Sequence, residues 1–132
     1  MNAIKTFLAA RTYAVAGASA QRHKYGNIVF RALTESGREV YPLNPGADFI
    51  ESHKAYARIA DLPVVPESLS LITPPAVTRM IVADAIAAGV KNLWMQPGAE
   101  DESASNAARE AGLNVIDDGS CVLVVLATMK DP

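Results

Sequence analysis

The sequence has very little cysteine, no long hydrophobic run and no excess of charge of one sign. Its 132 residues include one cysteine, Cys121, which excludes an internal disulfide and a cysteine-rich zinc site and is typical of a reducing, cytoplasmic location. No apolar segment approaches the roughly 18 residues that cross a bilayer. The formal net charge of −2 favours neither nucleic acid nor an anionic membrane as a partner. Any attraction for an anion must therefore be local.

The chain also lacks a linker, a low-complexity tract and a sequence repeat. Half of its residues are hydrophobic and 20% are charged, which is typical of a globular protein rather than a disordered one. A chain of this length can form one domain with a substantial core and is too short for two ordinary ones. We therefore predict a single domain over residues 1–132.

Helix-like segments alternate with short apolar segments along the chain. Three times a helix-like segment passes through a glycine into an apolar run, at Gly37, Gly89 and Gly112, where glycine fits the left-handed position just beyond a helix. This alternation predicts an α/β, three-layer Rossmann-like fold with a mostly parallel sheet of five to six strands. The predicted strands are 13–16, 39–43, 69–73, 92–95, 114–116 and a sixth at 121–127, and the predicted helices are 3–10, 25–35, 76–88 and 102–111.

Two parts of the chain fit this alternation less well. Residues 45–66 are irregular, and we expect a loop with a short helix near 56–60. The apolar run "VLVVLATM" after Cys121 predicts an edge strand, and because proteins avoid leaving such edges free, this strand would pair across a homodimer.

The first five predicted strands all end in, or are followed by, small or turn-forming residues. In an open parallel sheet, ligands bind outside the carboxyl ends of the strands, near the point where the strand order reverses. Each of these ends is also ordinary turn chemistry, but together they predict an edge lined by tight backbone that offers N–H groups to a ligand. The five ends are Gly17-Ala18-Ser19, Asn44-Pro45-Gly46, Thr73-Pro74-Pro75, Gln96-Pro97-Gly98 and residues 117–121.

The loop after the first strand does not match the known nucleotide fingerprints. The dinucleotide motif G-x-G-x-x-G requires glycines where this chain has Ser19 and Arg22, and the second strand ends in Asn44 instead of an acid. A P-loop motif does not occur either. What remains is an anion site made of N–H groups at a helix start, a serine hydroxyl and three residues that can carry positive charge, Arg22, His23 and Lys24. The alternative is that this segment is a solvated, flexible loop.

An ordered set of short motifs resembles a known family. The stretches "VAGAS…KYG", "YPLNP", "LITPP" and "WMQPG", followed by a cysteine after the fifth strand, resemble the small stand-alone CoA-binding proteins. Their fold is that of the CoA-binding domain in the alpha subunit of succinyl-CoA synthetase. The resemblance covers roughly residues 10–121. It implies that coenzyme A or an acyl-CoA binds across the carboxyl edge of the sheet.

The resemblance also implies which residues hold the cofactor. The first loop and Lys24 would meet the phosphates, and Asn44 and Pro45 would lie beside the nucleotide. Residues 73–75 would line the adenine or the pantetheine, and residues 96–98 would lie near the pantetheine end. The cofactor-binding candidates are Gly17, Ala18, Ser19, Arg22, Lys24, Tyr25, Asn44, Pro45, Thr73, Pro74, Pro75, Gln96, Pro97, Gly98 and Cys121.

Catalysis by the chain itself has little support in the sequence. In the synthetase a second domain carries the histidine that is phosphorylated, and 132 residues leave no room for it, so we predict a non-catalytic carrier, sensor or regulatory protein. The alternatives are a nucleotide-dependent oxidoreductase or acyl-transfer enzyme using the same edge, and an interaction module without a ligand. We predict no catalytic residue and no metal ligand.

Two features near the fifth strand remain open to more than one interpretation. Cys121 could exchange with the CoA thiol as a mixed disulfide, or be a small buried apolar residue. The pair Asp117-Asp118 could shift each other's pKa values, or simply cap a turn.

Overall fold

A parallel sheet of five strands, with helices on both faces, forms the centre of the molecule. The computed structural model describes residues 2–129. The strands of the main sheet are β1 Thr12–Ala16, β2 Glu39–Leu43, β5 Ser68–Leu71, β6 Asn92–Met95 and β7 Asn114–Ile116, and a two-stranded hairpin is formed by β3 Phe49–Ile50 and β4 His53–Lys54. The helices are α1 Ala3–Leu8, α2 Tyr25–Glu35, α3 Pro75–Ala88, α4 Glu102–Glu110 and α5 Val122–Met129, with a 3-10 helix at Ile59–Asp61.

The order of the strands shows where the chain stops adding strands on one side of β1 and begins adding them on the other. The order is β2-β1-β5-β6-β7, and every neighbouring pair is parallel. The chain therefore moves outward from β1 to β2 and then returns to the other side of β1. Ala16 at the end of β1 is in register with Leu43 on one side and Leu71 on the other, so the ends of these three strands lie together at the reversal point. The predicted Rossmann-like fold is confirmed.

The sheet buries a core on each face because its strands alternate side chains between the two faces. Along β1, Tyr13 and Val15 pack into the core beneath α1, α2 and α5, and Ala14 and Ala16 pack into the core beneath α3 and α4. In the first core the rings of Phe7 and Trp94 meet edge to face, with centroids 5.2 Å apart. The small alanines on the other face let α3 and α4 approach the sheet closely.

Local sequence chemistry sets the helix boundaries. The side chain of Asp101 accepts a hydrogen bond from the N–H of Ala104 at 2.9 Å, which caps the start of α4. Helix α3 begins instead with Pro75, whose missing N–H costs nothing at a first helical position. It ends at Gly89, whose φ of 93° lies in the left-handed region, as the sequence predicts.

The predicted sixth strand at 121–127 is wrong, because this segment forms helix α5. Val122 and Leu126, four residues apart, are buried in the core beneath α2, whereas Val124 is 63% exposed. An unbroken apolar run has no polar positions to show its period, so a strand and a helix look alike in the sequence. The homodimer predicted through this strand loses its basis.

The irregular segment 45–66 also differs from its prediction. It contains the hairpin β3–β4, and the short helix expected near 56–60 is a 3-10 helix at Ile59–Asp61. Tyr56 lies in extended backbone that pairs in parallel with Leu43 at the end of β2. None of the helices within residues 2–129 has both the length and the apolar character needed to cross a membrane.

Candidate functional site

The first loop brings the start of α2 against the end of β1 without intervening side chains. Gly17 has a φ of 86°, and a Cβ there would overlap the carbonyl oxygen of Ile72. Gly26, in the first turn of α2, faces the carbonyl oxygen of Gly17, which a Cβ at residue 26 would likewise overlap. Only glycine fits either position, so the turn and the helix start are held backbone to backbone.

This packing leaves several donors at the loop without protein acceptors. Within residues 2–129 the backbone N–H groups of Ala18, Tyr25 and Gly26 donate to no acceptor. The residue before α2 is Lys24, whose side chain forms neither a capping hydrogen bond nor an ion pair with any described residue. Free N–H groups, the positive end of a helix dipole and an unpaired ammonium together favour an anion.

A buried amide fastens the loop to its surroundings. Asn27 is fully buried, and its Nδ2 donates to the carbonyl of Ser19 at 2.8 Å and to a carboxylate oxygen of Glu51 at 3.0 Å. Its Oδ1 accepts from Nε of Arg31 at 2.7 Å. The hydrogen bond from Asn27, and next the charge of Arg22, hold the pKa of the Glu51 carboxyl below its usual range. Asn27 therefore holds the loop at Ser19, whereas residues 20–24 are exposed.

Glu51 forms an ion pair with only one of the two predicted cations of this loop that are named as site residues. Nε of Arg22 lies 3.4 Å from a carboxylate oxygen of Glu51, whereas Lys24 has no such partner among the described residues. Arg22 thus lies toward the hairpin, whereas Lys24 is exposed and has no ion-pair partner among residues 2–129. Glu51 and Ser52 have φ values of 49° and 67°, and this left-handed turn carries the carboxylate to the loop.

The second loop is joined to the first through one side chain. Nδ2 of Asn44 donates to the carbonyl of Ala18 at 2.8 Å, and its Oδ1 accepts from the N–H of Gly46 at 2.7 Å. The N–H of Gly17 donates to the carbonyl of Leu43 at 3.2 Å. Asn44 therefore holds the ends of β1 and β2 together.

A cleft of about 280 Å³ opens where these loops meet α3. Gly17, Asn44, Pro45 and Thr73, four of the predicted site residues, line it. The opposite walls come from the extended residues before the 3-10 helix and from α3, and they include Arg58, Val77, Ile81 and Asp84. The hydroxyls of Thr73 and Thr78 are hydrogen-bonded at 2.7 Å, and Pro74 and Pro75 form the start of α3.

A second group of predicted residues meets at the start of α5. The hydroxyl of Tyr25 lies 2.7 Å from Sγ of Cys121 and donates to Oε1 of Gln96 at 3.3 Å. That Oε1 also accepts from the N–H of Val122 at 2.9 Å, and Nε2 donates to the hydroxyl of Ser70 at 3.2 Å. Burial, followed by the contact with Cys121, raises the pKa of Tyr25 well above its usual value. The phenol is neutral at physiological pH.

The remaining predicted residues lie in turns. Pro97 and Gly98 are exposed, and the N–H of Gly98 donates to Glu100 at 2.8 Å. Asp117 accepts two hydrogen bonds from Arg109 at 2.8 and 3.1 Å, which hold the pKa of this carboxyl below its usual range. Asp118 accepts from the N–H of Ser120 at 3.0 Å. The two carboxylates therefore have separate partners, and Asp118 caps a turn.

Five residues at this edge were not found from the sequence. Only one carried a signal, a glycine in the first turn of a predicted helix. The others are polar residues: Asn27, Arg31 and Glu51 have partners four to 29 positions away along the chain, and Arg58 lies on a wall of the cleft. Single residue types at such separations form no motif. They are Gly26, Asn27, Arg31, Glu51 and Arg58.

Comparison with known proteins identifies the family. Residues 11–127 match the family described as CoA binding domain. The chain belongs to this family. A conserved hypothetical protein from Pyrococcus furiosus is 38% identical with a TM-score of 0.81, and the match covers 87% of this chain and 98% of that one. A Pyrococcus horikoshii protein is 30% identical with a TM-score of 0.92, covering 98% and 93% of the two chains.

A larger protein contains a similar domain. The dinucleotide forming acetyl-coenzyme A synthetase of Ca. Korarchaeum cryptofilum, solved in complex with phosphate and ADP, is 26% identical with a TM-score of 0.72. The match covers 83% of this chain but 26% of the synthetase. Membership of the CoA-binding domain family, together with this likeness, supports CoA binding in general.

Proposed function

We propose that this protein binds coenzyme A or an acyl-CoA along the carboxyl edge of the sheet and performs no chemistry of its own. Such a protein would serve as a carrier, a sensor or a regulatory protein. The observation that carries the proposal is a set of donors without partners among residues 2–129: the backbone N–H groups of Ala18, Tyr25 and Gly26, beside the ammonium of Lys24. Coenzyme A has the matching group, a pyrophosphate that needs several N–H donors and a cation.

The residues of this edge fit the parts of the cofactor in order. The loop at 17–19, with Lys24, would hold the pyrophosphate, and Asn44 and Pro45 would lie beside the nucleotide. Thr73 lines the cleft, and residues 73–75 would line the adenine or the pantetheine. The arm would continue toward residues 96–98, and the thiol would lie near Cys121. When bound, the cofactor would supply a thiol for carrying an acyl group.

Two titratable groups at this edge, Tyr25 and Asp117, support a non-catalytic role. The raised pKa of Tyr25 keeps the phenol protonated, and the lowered pKa of Asp117 keeps the carboxylate charged beside Arg109. General acid–base catalysis works best with a pKa near the working pH. Neither group has one, so both are better suited to holding the fold than to transferring protons.

Thermal unfolding with a panel of ligands tests the proposal. A ligand that binds only the folded state raises Tm, and at 100 times its Kd it stabilises by about 2.7 kcal/mol. We expect CoA and acetyl-CoA to raise Tm and NAD, NADP and ATP to have much smaller effects. A shift with NAD alone would support the oxidoreductase alternative, and no shift with any ligand would support an interaction module.

Substituting Lys24 directly tests the loop of residues 17–24, which we call the anion loop. We expect Lys24→Gln to weaken CoA binding about fivefold, since an exposed charge pair contributes up to about 1 kcal/mol, and the loss should shrink as salt is added. Lys5→Gln, on the exposed side of α1, is the matched control and should leave Kd unchanged. Equal losses for both variants would remove Lys24 from the site.

Cys121 provides a chemical test of where the thiol end lies. We expect its thiolate to attack CoA disulfide, forming a Cys121–CoA disulfide and releasing one CoA thiolate. Intact-mass measurement would show the added mass on native protein, and Cys121→Ser is the control. A native protein that stays unmodified, while denatured protein is fully labelled, would place the thiol elsewhere.

A reducing cytoplasm as the site of action remains a prediction.

A further inference from the structure

Backbone pairing beside β2 brings one arginine to the nucleotide cleft. The N–H of Tyr56 donates to the carbonyl of Pro42 at 3.0 Å, and the N–H of Asn44 donates to the carbonyl of Tyr56 at 2.9 Å. The chain remains extended through Arg58, with φ −140° and ψ 156°. Arg58 therefore lies beside the end of β2, on the wall of the cleft that also contains Asn44 and Pro45.

The charge of Arg58 is available to a ligand. Its side chain is exposed and has no hydrogen bond or ion pair among residues 2–129. Two other cations near this edge have partners within residues 2–129: Arg79 pairs with Asp101 at 2.8 Å, and Nζ of Lys54 lies 5.3 Å from the centre of the Tyr56 ring. Lys24 has no such partner but belongs to the first loop. Arg58 is the cation among the residues that line the cleft.

In nucleotide-binding sheets of this kind, residues at the end of the second strand determine whether the bound ribose is free or carries a phosphate. An acid there binds the free ribose hydroxyls, and an arginine nearby accommodates a phosphate on the ribose. This chain has Asn44 at that point, and both atoms of its amide are already bonded to Ala18 and Gly46. Asn44 is therefore not available to recognise the ribose, and Arg58 is the residue nearby that can recognise a ribose phosphate.

We propose that Arg58 binds the 3′-phosphate of CoA and makes this protein prefer CoA over 3′-dephospho-CoA. The inference rests on the proposed function and names a specificity residue for it. A guanidinium can donate two parallel N–H groups to a phosphate, which a lysine cannot do. Asp84, on another wall of the same cleft, would repel a phosphate that is not paired with Arg58. The 2′-phosphate of NADP has the same chemistry and is a separate arm of the test.

Calorimetric titration with CoA and 3′-dephospho-CoA tests this role. We expect the wild-type protein to bind CoA more tightly by on the order of tenfold to a hundredfold, as for hydrogen bonds to charged groups. Arg58→Ala should lose most of this preference by weakening CoA alone, and Arg58→Lys should be intermediate. Lys54→Ala, a nearby cation outside the cleft lining, is the control and should keep the preference. Unfolding curves of all variants should coincide with that of the wild type.

Each other outcome overturns the assignment in a recognisable way. If the wild type binds both ligands equally, or Arg58→Ala keeps the preference, Arg58 does not read the 3′-phosphate and CoA binding itself still stands. If neither ligand binds, the proposed function fails as well. If NADP is preferred over NAD through Arg58 while CoA does not bind, the phosphate belongs to another nucleotide and the assignment to CoA is wrong.

Discussion

At the scale of single residues, two glycines decide whether the anion loop can form. Gly17 and Gly26 lie where a β-carbon would meet a backbone carbonyl instead of a side chain that could move. Dinucleotide-binding folds use glycines for the same purposes, a tight turn and close packing of helix on strand. In this chain the second glycine comes nine residues after the first. The spacing differs from that of the motif, but the packing shows that both glycines allow a close approach of backbone to backbone.

Gly26→Ala should destabilise the protein and the loop together. The added methyl overlaps the carbonyl of Gly17, and overpacking of this kind costs about 1–3 kcal/mol, with the upper end expected against rigid backbone. The measurement is the free energy of unfolding in urea. Gly46→Ala, where a Cβ meets only ordinary contacts, is the control and should change stability by less than about 0.5 kcal/mol. Equal effects in the two variants would contradict the close approach.

Residue chemistry also marks the limit of what the sequence could predict about the site. The loop ends at Gly17 and Asn44 were found because the glycine and the asparagine follow apolar strands. The clamp of Asn27 on Ser19 and Glu51 was not, because it depends on a hairpin turn that carries Glu51 back across the loop. Sequence shows which residues can turn the chain, but not which distant side chain the turn will meet.

At the scale of elements, α3 and α4 are joined by one ion pair. Nη2 and Nε of Arg79 donate to the Asp101 carboxylate at 2.8 and 3.1 Å. The hydrogen bond from Arg79, and then the N–H of Ala104, hold the pKa of Asp101 below its usual range. A carboxyl with a lowered folded-state pKa stabilises the protein above its unfolded-state pKa, about 3.9, and loses this effect as the pH falls through the folded value.

Asp101→Asn tests this pair and keeps a good helix cap. We expect the wild type to be more stable than the variant at neutral pH, with a constant difference down to about pH 5 and a shrinking one below about pH 4. Unfolding free energies of the two proteins across pH 3–7 provide the measurement. A difference that stays constant throughout would show that the charge of Asp101 contributes nothing.

Helix α5 shows why element type was harder to predict than element position. The predicted range 121–127 nearly matches the helix at Val122–Met129. The apolar run has too few polar residues to reveal a period, and five preceding strands favour the strand interpretation. Once β7 completes the sheet, the remaining apolar side chains are buried more fully against α2. Four of the five main-sheet strands lie within one residue of prediction at each end, because glycines or polar turns bounded them; β5 ends two residues early.

Leu126→Ala should show that α5 is part of the core. Leu126 is 6% exposed, and removing a buried leucine side chain costs about 2–5 kcal/mol. Val124→Ala, at a position 63% exposed on the same helix, should cost less than about 0.5 kcal/mol. Urea unfolding of both variants distinguishes a helix from a strand. In a strand, residues 124 and 126 would lie on the same face and would be buried alike. Similar costs would contradict the helix.

At the scale of the whole molecule, the fold class was the most predictable property. Glycine-bounded helices between apolar strands admit few arrangements, because crossovers are right-handed and connections short. What could not be predicted was how the two halves of the carboxyl edge are tied together. Gln96 performs this task, because its buried amide joins Tyr25 of α2, Ser70 of β5 and the start of α5.

Gln96→Met separates a role in the fold from a role in ligand binding. Methionine keeps the volume but leaves the N–H of Val122 without its acceptor, and each orphaned buried polar group costs about 1–3 kcal/mol. We expect a loss of unfolding free energy with a smaller change in the Kd for CoA, measured well below Tm. Weakened binding with unchanged stability would show instead that Gln96 touches the pantetheine arm.

The prolines that open α3 make the two helix starts at this edge chemically unequal. Pro74 and Pro75 bring no N–H to that terminus, whereas α2 presents the N–H groups of Tyr25 and Gly26 next to Lys24. A charged head is thus attracted to one side of the strand reversal, and an uncharged tail is better tolerated on the other. We therefore expect an elongated ligand that is ionic at one end to bind with that end at α2, because the backbone of the two helix starts differs.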